Sequence, residues 1–194
     1  LPEIDAAGLV IAPGFVDIHA HEGFLDKTME AFALDGVTTM IGGNCGDSYH
    51  PLEDAFARME SEGLLINYLS YTGANTLRAL AGVPEDRPAD GRQIAAMAAM
   101  AEEEMRAGAL GVSYGLEYQP AASWEEVLAL GFAAGRHGGM TAAHARSGGL
   151  GQSALDAVEE MLRLARETGI PHQYSHIGSM LAYGDGMDEA LSRL

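Results

Sequence analysis

The chain has 194 residues, 47% of them hydrophobic, enough apolar mass for one globular core or a large piece of one. It carries 11 basic against 28 acidic residues, a formal net charge of −17, so neither nucleic acid nor an anionic membrane suits its surface as a whole. Cys45 is the single cysteine, which excludes an intrachain disulfide. No apolar run is long enough to span a bilayer and no leader-like segment opens the chain, so the expectation is a cytoplasmic protein acting on a small molecule.

The first strand is expected over Leu9–Ile18, followed by a short helix over Met29–Leu34 and a β-branched strand over Val37–Gly42. Pro51 near its start and Gly63 past its end delimit a helix over Pro51–Glu62. A strand over Leu65–Thr72 leads to a helix over Gly91–Ala107, rich in Ala, Met and Glu and stopped by Gly108. After a strand over Leu110–Ser113, Ser123 with Glu126 three residues on marks the N-terminus of a helix that runs to about Gly135. A strand over Met140–Ala143, an amphipathic helix over Ser153–Thr168, a strand over Gln173–Ser175 and a helix beginning at Asp188 complete the series.

Strands alternating with helices in this way predict an α/β fold with a parallel sheet. No phosphate-binding glycine pattern follows the first strand, which counts against an open nucleotide-binding sheet, although an open α/β sheet remains an alternative. A closed (β/α)8 TIM barrel needs eight strands and about 250 residues. About six strand–helix units are present, so the expected architecture is part of such a barrel, over residues 10–194.

Barrels place their chemistry at the C-terminal ends of the strands. "PGFVDIHAH" puts His19 and His21 after the first strand, two residues apart and on one face if the strand continues. Cys45 follows the second strand, His144 the fifth and His176 the sixth. Imidazole and thiolate are the ligands zinc prefers, so these five residues are candidate metal ligands for one or two Zn2+ ions. A lone strand-end histidine is ordinarily a satisfied polar residue, which suits His50 and His137. His172 opens the sixth strand at its far end and is expected to be structural.

"APGFVDIHAH" resembles the first-strand motif of the amidohydrolase superfamily, and "LDGVTTMIGGNCG" and "GALGVSYGLEYQP" resemble its N-acyl-D-amino-acid deacylase (D-aminoacylase) branch. The likeness runs from about Ile4 to Gly178. It implies that Cys45 ligates and can bridge the metals, that His144 and His176 complete the tighter site, and that His19 and His21 serve a second one. It also implies a flanking β-sandwich, of which residues 1–9 would be the lead-in, and a dimer or larger homo-oligomer. Two departures stand out. The family's general base is an aspartate after the eighth strand, so it is expected outside this chain, and Asp185 is a poor substitute. The branch's carboxylate-gripping lysine, two residues after the sixth-strand histidine, is Gly178 here.

Tyr118, Arg146 and Ser113 are candidate substrate-binding residues: Tyr118 as a donor to a carbonyl, Arg146 as a partner for a carboxylate, and Ser113 with Glu117 as pocket lining. The expected reaction is metal-dependent hydrolysis of a non-peptide C–N bond, with deacylation of an N-acyl-D-amino acid foremost. Hydrolysis of a cyclic amide such as a hydantoin or dihydroorotate, or of a dipeptide, is the alternative within the class. A catalytically silent metal-binding barrel is the alternative outside it.

Overall fold

A computed structural model of the chain describes residues 5–21, 28–146, 153–180 and 187–193. The elements run β1 (Phe15–Asp17), α1 (Thr28–Leu34), β2 (Val37–Gly42), α2 (Leu52–Glu62), β3 (Asn67–Ser70), β4 (Thr72–Gly73), α3 (Ala74–Leu80), α4 (Gly91–Ala107), β5 (Gly111–Gly115), α5 (Trp124–Arg136), β6 (Met140–His144), α6 (Ala154–Thr168), β7 (His172–Tyr174), α7 (Ile177–Met180) and α8 (Met187–Arg193). β1-β2-β3 form one sheet and β4-β5-β6-β7 another, in sequence order, and every neighbouring pair is parallel. Asp185 and residues 1–4 of the expected lead-in lie outside the described residues.

The expected strand over Leu65–Thr72 is divided at Tyr71, which is fully buried. Tyr71 N–H still donates to Gly42 O at 3.1 Å, and Leu110 N–H donates to Ser70 O at 2.8 Å. Backbone pairing therefore passes from one sheet to the next through a single bend. At the other extreme, Gln173 of β7 donates its side-chain amide to Ile18 O beyond β1 at 3.4 Å. The series of strands curls far enough for its two ends to touch.

The first strand is shorter than expected. Leu9, Val10 and Ile11 are 72%, 94% and 85% exposed and join no strand ladder among the described residues, β2 reaching back only as far as Phe15. α3 is unannounced by strong start and stop residues, with Gly73 at its N-cap and no side-chain cap. The other long helices end where their capping residues place them. Ser123 accepts from Glu126 N–H, and the Glu126 carboxylate accepts from Ser123 N–H, which starts α5. Gly108 and Gly169, both left-handed, terminate α4 and α6.

Parity along the strands divides the residues between two faces. Val112 and Tyr114 of β5 and Ala143 of β6 pack outward with Leu77, Met97, Met105, Leu130, Met161 and Leu164 of the helices. Each such buried side chain contributes about 1.5–3 kcal/mol. Ile41, Tyr71 and Ala142 make a smaller cluster with Leu110 and Met140. His144 lies two residues past Ala142 and so shares its face.

His172 takes the structural place expected of it. It opens β7, with Nδ1 2.8 Å from Thr141 Oγ1, and burial lowers its pKa from 6.5 to about 4. The folded protein therefore resists protonating a ring that the unfolded chain protonates below pH 6.5. This stability is complete above pH 6.5 and is lost as pH falls toward 4, up to about 3 kcal/mol. Urea unfolding between pH 7 and 4 should show that extra loss in the wild type relative to His172→Gln, whereas parallel curves would contradict it.

Candidate metal centre

The second βα turn is built around Cys45. Cys45 adopts φ +56° and His176 φ +59°, the only described non-glycine residues in the left-handed region. Such backbone costs on the order of 1 kcal/mol or more and persists where the surroundings enforce it. Three pairs of hydrogen bonds enforce it at Cys45. Ser113 donates its hydroxyl to Gly43 O and accepts from Gly46 N–H at 3.1 Å, bracketing the cysteine. Gly46 O accepts from Asn75 N–H at 2.8 Å and from Thr76 N–H at 3.1 Å. Asn44, fully buried, donates its amide to Ile41 O at 2.8 Å and to Ala20 O at 3.2 Å. That last bond ties the cysteine turn to the alanine between His19 and His21.

β1 ends at Asp17, so the two histidines are not held by a continuing strand. Asp17 Oδ1 accepts from His19 N–H at 3.0 Å, and Ala20 N–H donates to Ile41 O at 2.9 Å. These bonds direct both rings to the cysteine without regular pairing.

Four imidazoles converge on one sulfur. Cys45 Sγ lies 3.5 Å from His19 Nε2, 3.8 Å from His21 Nε2, 3.6 Å from His144 Nδ1 and 3.4 Å from His176 Nε2. Two overlapping triads share the sulfur: His19, His21 and Cys45, and Cys45, His144 and His176. The rings also meet one another, with centroids 4.4 Å apart for His19 and His176 and 4.8 Å apart for His144 and His176.

The donors suit a divalent metal on two grounds. A tetrahedral zinc with Zn–S near 2.3 Å and Zn–N near 2.05 Å separates its sulfur and nitrogen ligands by about 3.6 Å. The sulfur–nitrogen distances here scatter about that value. The second ground is protonation. Burial, then the neighbouring His176 and His21, lowers the His19 pKa to about 4, leaving it neutral with a free lone pair. Burial also lowers that of His176. Burial and Asp47 raise the Cys45 thiol to about 11, so the sulfur keeps its proton at neutral pH unless a cation stands beside it.

Tyr118 is at the rim, 56% exposed, with its hydroxyl 3.2 Å from His144 Nδ1. Burial and the nearby Cys45, Glu117 and Asp47 raise its pKa, so the hydroxyl retains its proton and can donate.

Two of the expected substrate contacts are bonded within the protein. Ser113 faces inward as parity requires, but that face is filled by the cysteine turn, and Ser113 is fully buried in the bonds given above. Arg146 would share His144's face only if β6 continued, and β6 ends at His144. Its side chain, 14% exposed, donates to Pro120 O at 2.7 Å and Ala122 O at 2.6 Å and pairs with Glu160 at 3.1 Å. It staples the loop before α5 to α6 and offers no free guanidinium. His50 pairs with the buried Glu104 at 2.9 Å, away from the cluster. Sequence reasoning missed Asn44, whose only signal was its place beside Cys45 in "GNCG". A groove of 910 Å3 lies elsewhere, lined by Phe56, Met59, Ile66 and Tyr68 among others, and none of the five donors borders it.

Gly46 shows how tightly the turn is made. It has φ +86°, and a Cβ there would collide with Asn75 and Gly115 N. Gly46→Ala is expected to cost about 2 kcal/mol or more in thermal unfolding and to weaken zinc binding with it. A variant that kept both would show that the turn is looser than these contacts require.

A family model described as "Amidohydrolase family" matches residues 2–192. The D-aminoacylase of Alcaligenes xylosoxydans xylosoxydans is 34% identical over 201 residues, covering 89% of this chain and 41% of that protein. The N-acyl-D-glutamate deacylase of the same organism is 30% identical over 214 residues, 96% of this chain and 43% of that one. The crystal structure of the Bordetella bronchiseptica N-acyl-D-glutamate deacylase, complexed with zinc and a phosphonate inhibitor, superimposes with a TM-score of 0.80 at 25% identity, over 97% of this chain and 47% of that one. A D-aminoacylase structure gives a TM-score of 0.75 at 28% identity, over 84% and 40%. The chain thus spans about two-fifths of the length of the curated relatives it matches. With the family model matched over nearly its whole length, the chain belongs to the amidohydrolase family and resembles its D-aminoacylase branch.

Proposed function

We propose that this chain carries the metal-binding part of a hydrolase that deacylates N-acyl-D-amino acids or related compounds, on a partial (β/α)8 barrel. The observation that carries it is the convergence of four imidazoles, drawn from the ends of β1, β6 and β7, on Cys45 Sγ at 3.4–3.8 Å. The strand order, the parallel pairing and the approach of β7 to the end of β1 support the barrel. The mostly exposed residues 5–9, with a turn at Ala7–Gly8, fit the expected lead-in from a neighbouring domain.

In this reading Cys45, His144 and His176 hold one metal ion, and His19, His21 and the shared sulfur hold a second. Zinc is the assignment that the thiolate–imidazole set favours. A divalent ion held there supplies Lewis acidity, polarising an acyl carbonyl and acidifying water at neutral pH. The protein's own part is to fix the donors. Asn44 and Ser113 set the sulfur, and Asp17 sets the His19 backbone. Tyr118 is placed to donate its hydroxyl to a substrate carbonyl at the rim. The substrate carboxylate is not gripped from position 178, which is glycine, or by Arg146, which is fully engaged.

The test, made on the full-length protein that carries this chain, is release of the acyl acid from N-acetyl-D-amino acids, including the D-aspartate and D-glutamate derivatives, against their L-enantiomers. Turnover of the D-series alone is expected. Turnover of hydantoins or dihydroorotate in its place would overturn the substrate class, and zinc binding without any hydrolysis would favour a silent barrel.

A further inference from the structure

We infer that Glu117 is a positioning residue for the Cys45–His144–His176 half-site, fixing which nitrogen of His144 faces the metal. This rests on the metal-centre reading above. His144 stands between two groups: its Nε2 is 2.7 Å from Glu117 Oε2, and its Nδ1 is 3.6 Å from Cys45 Sγ. A carboxylate accepts and does not donate, so the ring proton belongs on Nε2. The Nδ1 lone pair is then left for the sulfur side, where the Tyr118 hydroxyl also donates to it across 3.2 Å. The ring is thereby held in its ligating tautomer.

His144 needs this support more than its neighbours. His19, His21 and His176 turn Nε2, the outer nitrogen, toward the sulfur. His144 alone turns Nδ1, the nitrogen nearer the backbone, so a small rotation about its side chain carries the lone pair off target. Glu117 opposes that rotation from behind. Its own position is fixed by the turn after β5: Leu116 N–H donates to His144 O at 2.9 Å, and Tyr118 and Gln119 N–H both donate to Gly115 O at 3.1 Å. The backbones bearing carboxylate and imidazole are thus bonded directly to each other. His19 offers the contrast, since its Nδ1 is buried with no hydrogen-bond partner among the described residues. Carboxylates bonded to the far nitrogen of a ligating histidine orient it and raise its basicity, and losing one lowers metal affinity about 10- to 100-fold.

The Glu117 side chain is 38% exposed and stands in a surface turn, so its replacement leaves the core intact. The test compares the wild type with Glu117→Gln and Glu117→Ala. Zinc affinity is read by competition with a chromophoric chelator, the Co2+-loaded spectrum reports the ligands, and 15N NMR of the metal-free protein reports the His144 tautomer. Glu117→Ala should lose about 10- to 100-fold in affinity for the tighter ion, keep the thiolate-to-cobalt charge-transfer band and mix the His144 tautomers. Glu117→Gln, which can still accept from Nε2–H, should lose less and keep the tautomer. Wild-type affinity and tautomer in both variants would overturn the inference, as would a changed cobalt coordination number in Glu117→Ala, which would make Glu117 itself a ligand. Failure of the wild type to bind Zn2+ or Co2+ would overturn the metal centre as well, and so is distinguishable from both.

Discussion

Cys45→Ala is expected to abolish tight zinc binding, and with it the hydrolysis proposed for the full-length protein, while leaving the chain folded. Cys45 is the one donor common to both triads, so its removal leaves two pairs of imidazoles with no anionic ligand between them. Loss of an outer-shell partner already costs up to about 100-fold in affinity, and loss of the shared thiolate should exceed that. The fold should survive, because the turn is held by Ser113, Asn75 and Asn44 and not by the sulfur. A calorimetric zinc titration of the variant beside its circular dichroism spectrum checks both halves. Undiminished zinc binding in a folded Cys45→Ala protein would contradict the assignment.

The second large effect lies away from the site. Arg78 and Glu126 form an ion pair with both side chains almost wholly buried. Arg78 also donates to Pro84 O at 3.2 Å and Arg87 O at 3.1 Å, and Glu126 accepts from Ala89 N–H at 2.7 Å and Ser123 N–H at 3.0 Å. One network therefore ties α3, the loop after it and the start of α5. Arg78→Ala leaves a carboxylate buried without its counter-charge, which costs about 3–5 kcal/mol. For a domain of this size the melting temperature should fall by roughly 6–20 °C. Arg78→Leu combined with Glu126→Gln should recover a good part of that loss, because no uncompensated charge remains. A fall of only a degree or two in Arg78→Ala would show that the pair is not carrying this junction.

How far the sequence could be read depends on the physics behind each element. β2 spans Val37–Gly42 as the β-branched run predicts, and α5 starts at the Ser123–Glu126 box, because both signals are local. Non-local effects were less legible. Leu9–Gly14 reads as strand yet has no strand partner among the described residues, where β2 does not reach it. The bend at Tyr71 depends on which neighbour each half pairs with.

The same distinction runs through the site. That His19, His21, Cys45, His144 and His176 come together was legible from their types and their places after strands. What surrounds them was not. Ser113 reads as pocket lining from parity alone, and only the three-dimensional position of the cysteine turn shows that the face is already occupied. Arg146 lies two residues beyond the end of β6, where strand parity no longer holds, and is taken by Glu160, 14 residues away in sequence. Glu117 lies in the "GLEY" segment and reads there as pocket lining; its contact with His144 emerges only from where that ring comes to rest.

The central claim is that a divalent metal is held by Cys45 together with the strand-end histidines. Zinc K-edge X-ray absorption on the purified protein, with metal content per chain measured on the same sample, tests it most directly. One or two equivalents of zinc are expected, with a sulfur shell near 2.3 Å and nitrogen near 2.0–2.1 Å. A folded sample without metal, or with zinc in a shell of oxygen and nitrogen alone, would contradict it.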